Sequence, residues 1–275
     1  LPQRRTSGIL GIMEKYVAQL SALAHPQRLS VYRLLMRRYP HHVPAGEIGT
    51  ILDIRPSTLS GYLSDLSEAG LIQQERRGTS LRYAAVIDAA EGLTDYLWRD
   101  CCRGRTLPAQ PERAGRVRNV LFLCSGNSAR SLMGEAILRK LAGRRFEVFS
   151  AGTKPRSAPN PQAIAMLREL GHDTSNLYSK SADIFLEPDA PRMDFVITVC
   201  DRAASAECPV WPGAPVQAHW AVPDPVEIAT PEAYAEAYLT LHTRIEALAD
   251  LPADLPRAEL QRAVDRIAQI QLETA

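Results

Sequence analysis

Apolar positions along the chain fall into two regimes. From about residue 11 to about residue 103 they recur mostly at helical spacing. In residues 56–72, Pro56 and Ser57 form a start signal, Leu59, Leu63 and Leu66 a buried stripe, and Gly70 a stop. Residues 73–83 then read as a two-stranded hairpin with Arg77-Gly78-Thr79 at its tip. Beyond residue 118, short apolar runs alternate with helical periods. Val120-Leu121-Phe122-Leu123 predicts a buried strand, and Met133, Ile137, Leu138 and Leu141 predict a helix near 131–142. A strand near 146–150, a helix near 161–170, a strand near 195–199 and amphipathic helices near 231–249 and 256–272 follow. Such alternation predicts a parallel sheet covered on both faces, with ligands at the carboxyl ends of its strands. Residues 103–115 are polar, with Pro and Gly and no apolar period. The expected organisation is therefore a mainly-α domain in 1–104, a linker in 105–117 and an α/β three-layer domain in 118–275.

Composition narrows the setting. A chain of 275 residues can bury two ordinary cores. The net charge of +1 advertises neither nucleic acid nor membrane, so any basic patch must be local. No apolar stretch is long enough to span a bilayer, and Leu1-Pro2-Gln3-Arg4-Arg5 carries no signal-peptide pattern. The first residue is not methionine, so the numbering can begin inside a longer chain. Five cysteines, at 101, 102, 124, 200 and 208, do not resemble a secreted disulfide framework and point to a reducing cytoplasm. The histidines are scattered, with no zinc-ligand spacing and no other metal pattern.

The most informative stretch is Cys124-Ser125-Gly126-Asn127-Ser128-Ala129-Arg130-Ser131, directly after the predicted strand. A tight loop between a strand and a helix N-terminus turns backbone N–H groups toward an anion. Arg130 adds a planar fork suited to paired oxyanion contacts. The same positive field favours the Cys124 thiolate. Together they form a seat for a tetrahedral dianion with a nucleophile at its base.

Residues 118–275 resemble the low-molecular-weight protein tyrosine phosphatase fold and, within it, thioredoxin-coupled arsenate reductases. The resemblance rests on residues 124–131, on Ser150-Ala151-Gly152-Thr153, on residues 199–213, on Ala218-His219-Trp220 and on Val222-Pro223-Asp224-Pro225. It implies that Cys124 attacks the oxyanion while Arg130 and the N–H groups of Ser125, Gly126, Asn127, Ser128 and Ala129 stabilise the transition state. Ser131 would hydrogen-bond the thiolate, Asn127 would hold the loop in shape, and Asp224 would be the general acid. Cys200 and Cys208 supply thiols for a disulfide relay, with thioredoxin or a small thiol as reductant and no tightly bound cofactor. Tyrosine phosphatases of this fold carry aromatic residues after the Asp-Pro pair, whereas Val226 and Glu227 follow here. A potassium site known in some relatives would match Asn127, Glu135 and Ser150.

Residues 20–35, 46–52 and 56–72 resemble ArsR-type winged helix-turn-helix repressors. Ser57, Thr58, Ser60, Gly61 and Tyr62 would face base edges, and Arg76, Arg77 and Arg82 would meet phosphates. Residues 1–100 hold 12 Lys/Arg and 10 Asp/Glu, so affinity for operator DNA must come from placement. A homodimer reading two half-sites is expected. Cys101 and Cys102, just past the last helix of this module, are candidate arsenite ligands, although arsenite prefers three thiolates. The sequence thus points to arsenate reduction fused to a DNA-binding repressor that arsenite induces. The alternatives are a regulator whose second domain senses oxyanions or redox state, and a low-molecular-weight phosphatase carried to DNA.

Overall fold

In the computed structural model, residues 6–102, 116–206 and 211–271 are described, with the backbone alone for 6–12. The chain divides into two compact units, Leu1–Pro111 and Glu112–Ala275. The expected linker, apart from residues 116 and 117, lies outside the described residues.

The first unit orders α1 (Thr6–Leu23), α2 (Pro26–Arg38), β1 (Val43–Pro44), α3 (Ala45–Leu52), α4 (Pro56–Glu68), β2 (Ile72–Arg77), β3 (Ser80–Ala85) and α5 (Ile87–Asp95). Pro56 starts α4 where a missing N–H costs nothing, and Gly70, at φ +69°, lets the chain leave it. Leu59, Leu63 and Leu66 all enter the core against Val31, Leu34, Leu35 and Ile48. A short turn with Asp53 in the left-handed region joins α3 to α4. The hairpin closes at Gly78 and Thr79, between Arg77 and Ser80. One expectation needs correction: the sheet has three strands, ordered β1-β3-β2, because Val43 and Pro44 pair with Tyr83 and Arg82. Two residues are too few to show an alternating pattern. A second correction concerns Cys101, which closes a π-helical turn, Tyr96–Cys101, that extends α5.

The second unit carries β4 (Arg118–Cys124), α6 (Arg130–Ala142), β5 (Phe146–Gly152), α7 (Pro161–Glu169), β6 (Phe195–Thr198), α8 (Asp201–Ser205), β7 (Val216–His219), α9 (Pro225–Ile228), α10 (Pro231–Ala249) and α11 (Arg257–Ile267). Its four-stranded sheet is wholly parallel, in the order β5-β4-β6-β7. One core joins Val120 and Phe122 to α6, α10 and α11, with Trp220 tilted against the Phe122 ring. The opposite face packs Leu121 and Leu123 on Phe185, Met193 and Trp211. Residues 130–138 of α6 are all buried, whereas Leu141, expected in the apolar stripe, is 42% exposed. Chain order reverses direction at β4, whose neighbours are β5 on one side and β6 on the other. A crevice opens at such a switch point beyond the strand ends, which is where β4 delivers Cys124.

Candidate active site

The loop after β4 owes its shape to the fate of its carbonyls. Cys124 O, Ser125 O, Gly126 O and Ser128 O accept from the backbone N–H groups of Thr153, Lys154, Arg156 and Asn160 at 2.8–3.1 Å. Asn127 O accepts from the Ser179 hydroxyl at 2.7 Å, and Ala129 O from Met133 N–H in α6. With the carbonyls engaged by surrounding structure, the loop N–H groups are kept from pairing with them, and those of Ser125 and Asn127 meet the Cys200 and Cys124 sulfurs. The close approach of the neighbouring strand requires Gly152, since a Cβ there would meet Ser125 O at 2.7 Å and Asn127 N at 3.0 Å. Asn127 has φ +43°, a conformation asparagine tolerates better than most residues.

Hydrogen-bond polarity at the thiol follows from a fully buried network. Asn127 Oδ1 faces the Lys180 backbone N–H at 2.8 Å, which can only donate, so the amide orientation is fixed. Its Nδ2 therefore donates to Ser131 Oγ and Ser150 Oγ, both at 2.9 Å. The Ser150 hydroxyl donates to Glu135 Oε2 at 2.5 Å. Having accepted from Asn127, Ser131 is set to donate to Cys124 Sγ at 3.0 Å, where Asn127 N–H also donates at 3.1 Å. Two donors thus converge on one sulfur, the atom that the loop encloses.

Arg130 and Asp224 sit face to face. The guanidinium donates to Asp224 Oδ2 at 2.5 Å and to Val222 O at 2.9 Å. The Asp224 Oδ1 atom also accepts from Val226 N–H at 3.1 Å and caps α9, so this aspartate is both a turn residue and a wall of the bowl. The cavity, about 210 Å³, is lined by Cys124, Ser125, Gly126, Ser128, Ala129, Arg130, Lys154, Arg156, Arg202, Asp224 and Val226. Lys154, Arg156 and Arg202 were missed in the sequence. The first two follow the Ser150-Ala151-Gly152-Thr153 motif directly, and Arg202 follows Cys200 by two residues. Among the described residues that line it, Asp224 is the one carboxylate beside four cationic side chains, which suits a small multivalent anion.

Cys200 lies two residues past β6 and caps α8, its Sγ accepting from Ala203 N–H at 3.4 Å. The same sulfur accepts from Ser125 N–H, in the anion loop itself, at 3.2 Å. Burial pushes the Cys200 thiol up, the nearby Cys124 adds to this, and Arg130 with the two N–H donors opposes it. Cys208 lies outside the described residues.

In the first unit Ser57, Thr58, Ser60 and Gly61 are exposed on α4, and Arg76 and Arg77 are exposed on β2. Two expected DNA contacts are placed otherwise. Tyr62 is half-buried, with its ring against His25 and its hydroxyl donating to Gln27 Oε1 at 2.6 Å. Arg82 is half-buried on β3, in register with Glu75, unlike the exposed Arg76 and Arg77. Cys101 and Cys102 are exposed free thiols. No helix among the described residues is long and apolar enough to cross a membrane.

The sequence profile described as Low molecular weight phosphotyrosine protein phosphatase matches residues 119–265. An arsenate reductase of Brevibacillus brevis is 35% identical over 115 residues, which is 42% of this chain and 82% of that protein. An arsenate reductase of Bacillus subtilis is 36% identical over 106 residues, 38% of this chain and 73% of that protein. A solved structure described as an arsenate reductase in the phosphate binding state shares 28% identity, covers 48% of this chain and 97% of its own, and superposes with a TM-score of 0.40. The profile spans more than half of the sequence and contains the whole anion loop, so the chain belongs to the low molecular weight phosphotyrosine protein phosphatase family.

Proposed function

We propose that residues 118–275 reduce arsenate to arsenite, with Cys124 as nucleophile and Cys200 and Cys208 as the resolving thiols. The observation that carries this reading is the Cys200 sulfur within hydrogen-bond range of the anion loop's own backbone. Relatives named arsenate reductase support it. In the first step the Cys124 thiolate attacks arsenic, a sulfur–arsenic bond forms, and an arsenic–oxygen bond breaks. The departing oxygen leaves as water with a proton from Asp224, while Arg130 and the loop N–H groups hold the remaining oxygens. Arg130 and Asp224 pair with each other, so an anion that takes up the guanidinium would release the carboxyl for proton transfer. In the second step Cys200 attacks Cys124 Sγ. The sulfur–arsenic bond breaks, its electron pair stays on arsenic, and arsenite leaves a Cys124–Cys200 disulfide. Cys208 then takes Cys200 into a new disulfide, freeing Cys124, and thioredoxin or a small thiol reduces that bond.

The same bowl suits aryl phosphates poorly. Val226 lines it and Glu227 pairs with Arg202 at 2.6 Å, so neither residue after Asp224-Pro225 supplies an aromatic wall. Arsenate-dependent NADPH oxidation with thioredoxin and thioredoxin reductase, run beside Cys124→Ser, tests the assignment. Turnover lost in the variant is expected; aryl phosphate hydrolysis without arsenate turnover would replace the reductase with a phosphatase.

For residues 1–104 the proposal is a winged helix-turn-helix repressor acting as a homodimer in the cytoplasm, α4 reading operator DNA and the β2–β3 hairpin touching phosphates. Exposed short polar groups on α4 and exposed Arg76 and Arg77 support it. Arsenite made by the second unit would reach a sensor on the same chain at high effective concentration. Operator release by arsenate plus reductant, lost in Cys124→Ser but kept with added arsenite, is the expected signature.

A further inference from the structure

Beneath the anion loop, Glu135 is 3% exposed. Its carboxylate accepts from Ser150 and forms ion pairs with Arg139 and with Lys180 Nζ, the latter at 3.6 Å from Oε2. The Lys180 side chain is itself 9% exposed. Its ammonium also donates to Tyr178 O at 3.2 Å and lies 4.2 Å from the Tyr178 ring centroid. Burial pulls the Lys180 ammonium down from the usual lysine range, with Glu135 opposing that shift. The Lys180 backbone is equally engaged: its N–H fixes Asn127, and its carbonyl accepts from Gly152 N–H at 2.9 Å.

Asn127, Glu135 and Ser150, the residues matched to a potassium site, do not fit that ion here. The Asn127 carbonyl oxygen is taken by Lys180 N–H, its amide nitrogen faces Ser150, and Glu135 already meets two cations. A hard cation needs several oxygen ligands, and this cluster presents them to nitrogen donors instead. We propose that the Lys180 ammonium stands in for a monovalent cation beneath the loop and is a positioning residue for Cys124. Held beside Lys180, the Glu135 carboxylate accepts from Ser150, which leaves Ser150 to accept from Asn127 and Ser131 to donate to Cys124 Sγ. Lys180 thus acts twice, its backbone N–H orienting the Asn127 amide and its ammonium pairing the carboxylate that accepts from Ser150.

This rests on Cys124 being the nucleophile, and the test reads the thiol directly, apart from arsenate turnover. The rate of Cys124 alkylation by iodoacetamide is followed by peptide mass, which separates it from Cys101 and Cys102. It is measured in sodium and potassium buffers for wild type, Lys180→Met, Lys180→Arg and Lys180→Met with Glu135→Gln. Wild type should alkylate at one rate in both salts. Lys180→Met should be slower by on the order of tenfold, as for loss of a charge-assisted hydrogen bond. Lys180→Arg should restore most of the rate, as should methylammonium or potassium added to Lys180→Met. The double variant should recover part of it by removing the uncompensated carboxylate. A wild-type rate that climbs with potassium would overturn the proposal, as would a folded Lys180→Met that alkylates like wild type. If Lys180→Met fails to fold, the wild-type salt comparison and Lys180→Arg still decide. Alkylation as expected without arsenate turnover would count against the reductase reading and leave the role of Lys180 standing.

Discussion

Asn127 is the point where loop shape and thiol polarity meet, and replacing it gives a measurable loss. Its side chain makes three hydrogen bonds, to Ser131, Ser150 and the Lys180 N–H, from a fully buried position. At about 1 kcal/mol net each, Asn127→Ala gives up about 3 kcal/mol. Alanine at φ +43° adds about 1 kcal/mol, because its Cβ crowds the following carbonyl. The expected destabilisation is therefore about 4 kcal/mol, a large share of the stability of an ordinary domain. Asn127→Gly keeps the left-handed backbone and loses only the hydrogen bonds, so it should be milder by about 1 kcal/mol. Urea unfolding of the full chain, followed by fluorescence of the buried Trp220, reads the stability. Calorimetric titration with phosphate reads the bowl, with affinity falling at least tenfold in both variants. An Asn127→Ala protein within about 1 kcal/mol of wild type, with unchanged phosphate affinity, would refute the argument.

Other consequences are separately testable. Cys200→Ser should form the arsenic adduct on Cys124 once per chain and then stop, giving no steady-state arsenite; multiple turnovers in that variant would remove the relay. Since burial raises the Cys200 thiol, its thiolate fraction keeps growing above the pH where an ordinary cysteine levels off. Single-turnover disulfide formation should therefore still be accelerating there, and a plateau near neutral pH would contradict it. Burial pushes Asp265 up to about 6, above its unfolded value, so the folded state holds the extra proton and stability declines as pH rises from about 4 to about 6. Asp265→Asn should therefore stabilise the chain at pH 8 by about 2 kcal/mol, discounted for solvent screening, and leave it unchanged below pH 4. Arg76→Ala and Arg77→Ala should each weaken operator binding across sequences and lower its salt slope by about one; unchanged slopes would remove the hairpin from the interface.

Legibility in the sequence followed the length of each signal. β4 and α4 were readable because four adjacent apolar residues, or three leucines at helical spacing between a proline and a glycine, leave little choice. Cys124 and Arg130 were readable together because one strand end and the loop after it carry both, whereas Asp224 joined them only through the family resemblance. The two-residue β1 and the four-residue edge strand β7 were not, since neither is long enough to show a period. Nor could spacing reveal that Arg130 pairs with Asp224, 94 residues away, or that Lys180 reaches Glu135 under the loop. Tyr62 and Arg82 looked available because helix-face and hairpin patterns say nothing of Gln27 or of strand register.

The central claim is that Cys124 and Cys200 are redox partners across one anion-binding loop. The measurement closest to it is peptide mass mapping of a Cys208→Ser chain after stoichiometric arsenate, with no reductant present. One Cys124–Cys200 disulfide and one arsenite per chain are expected, both absent in Cys124→Ser. Arsenite released with Cys200 still reduced, or no oxidation at all, would contradict the account.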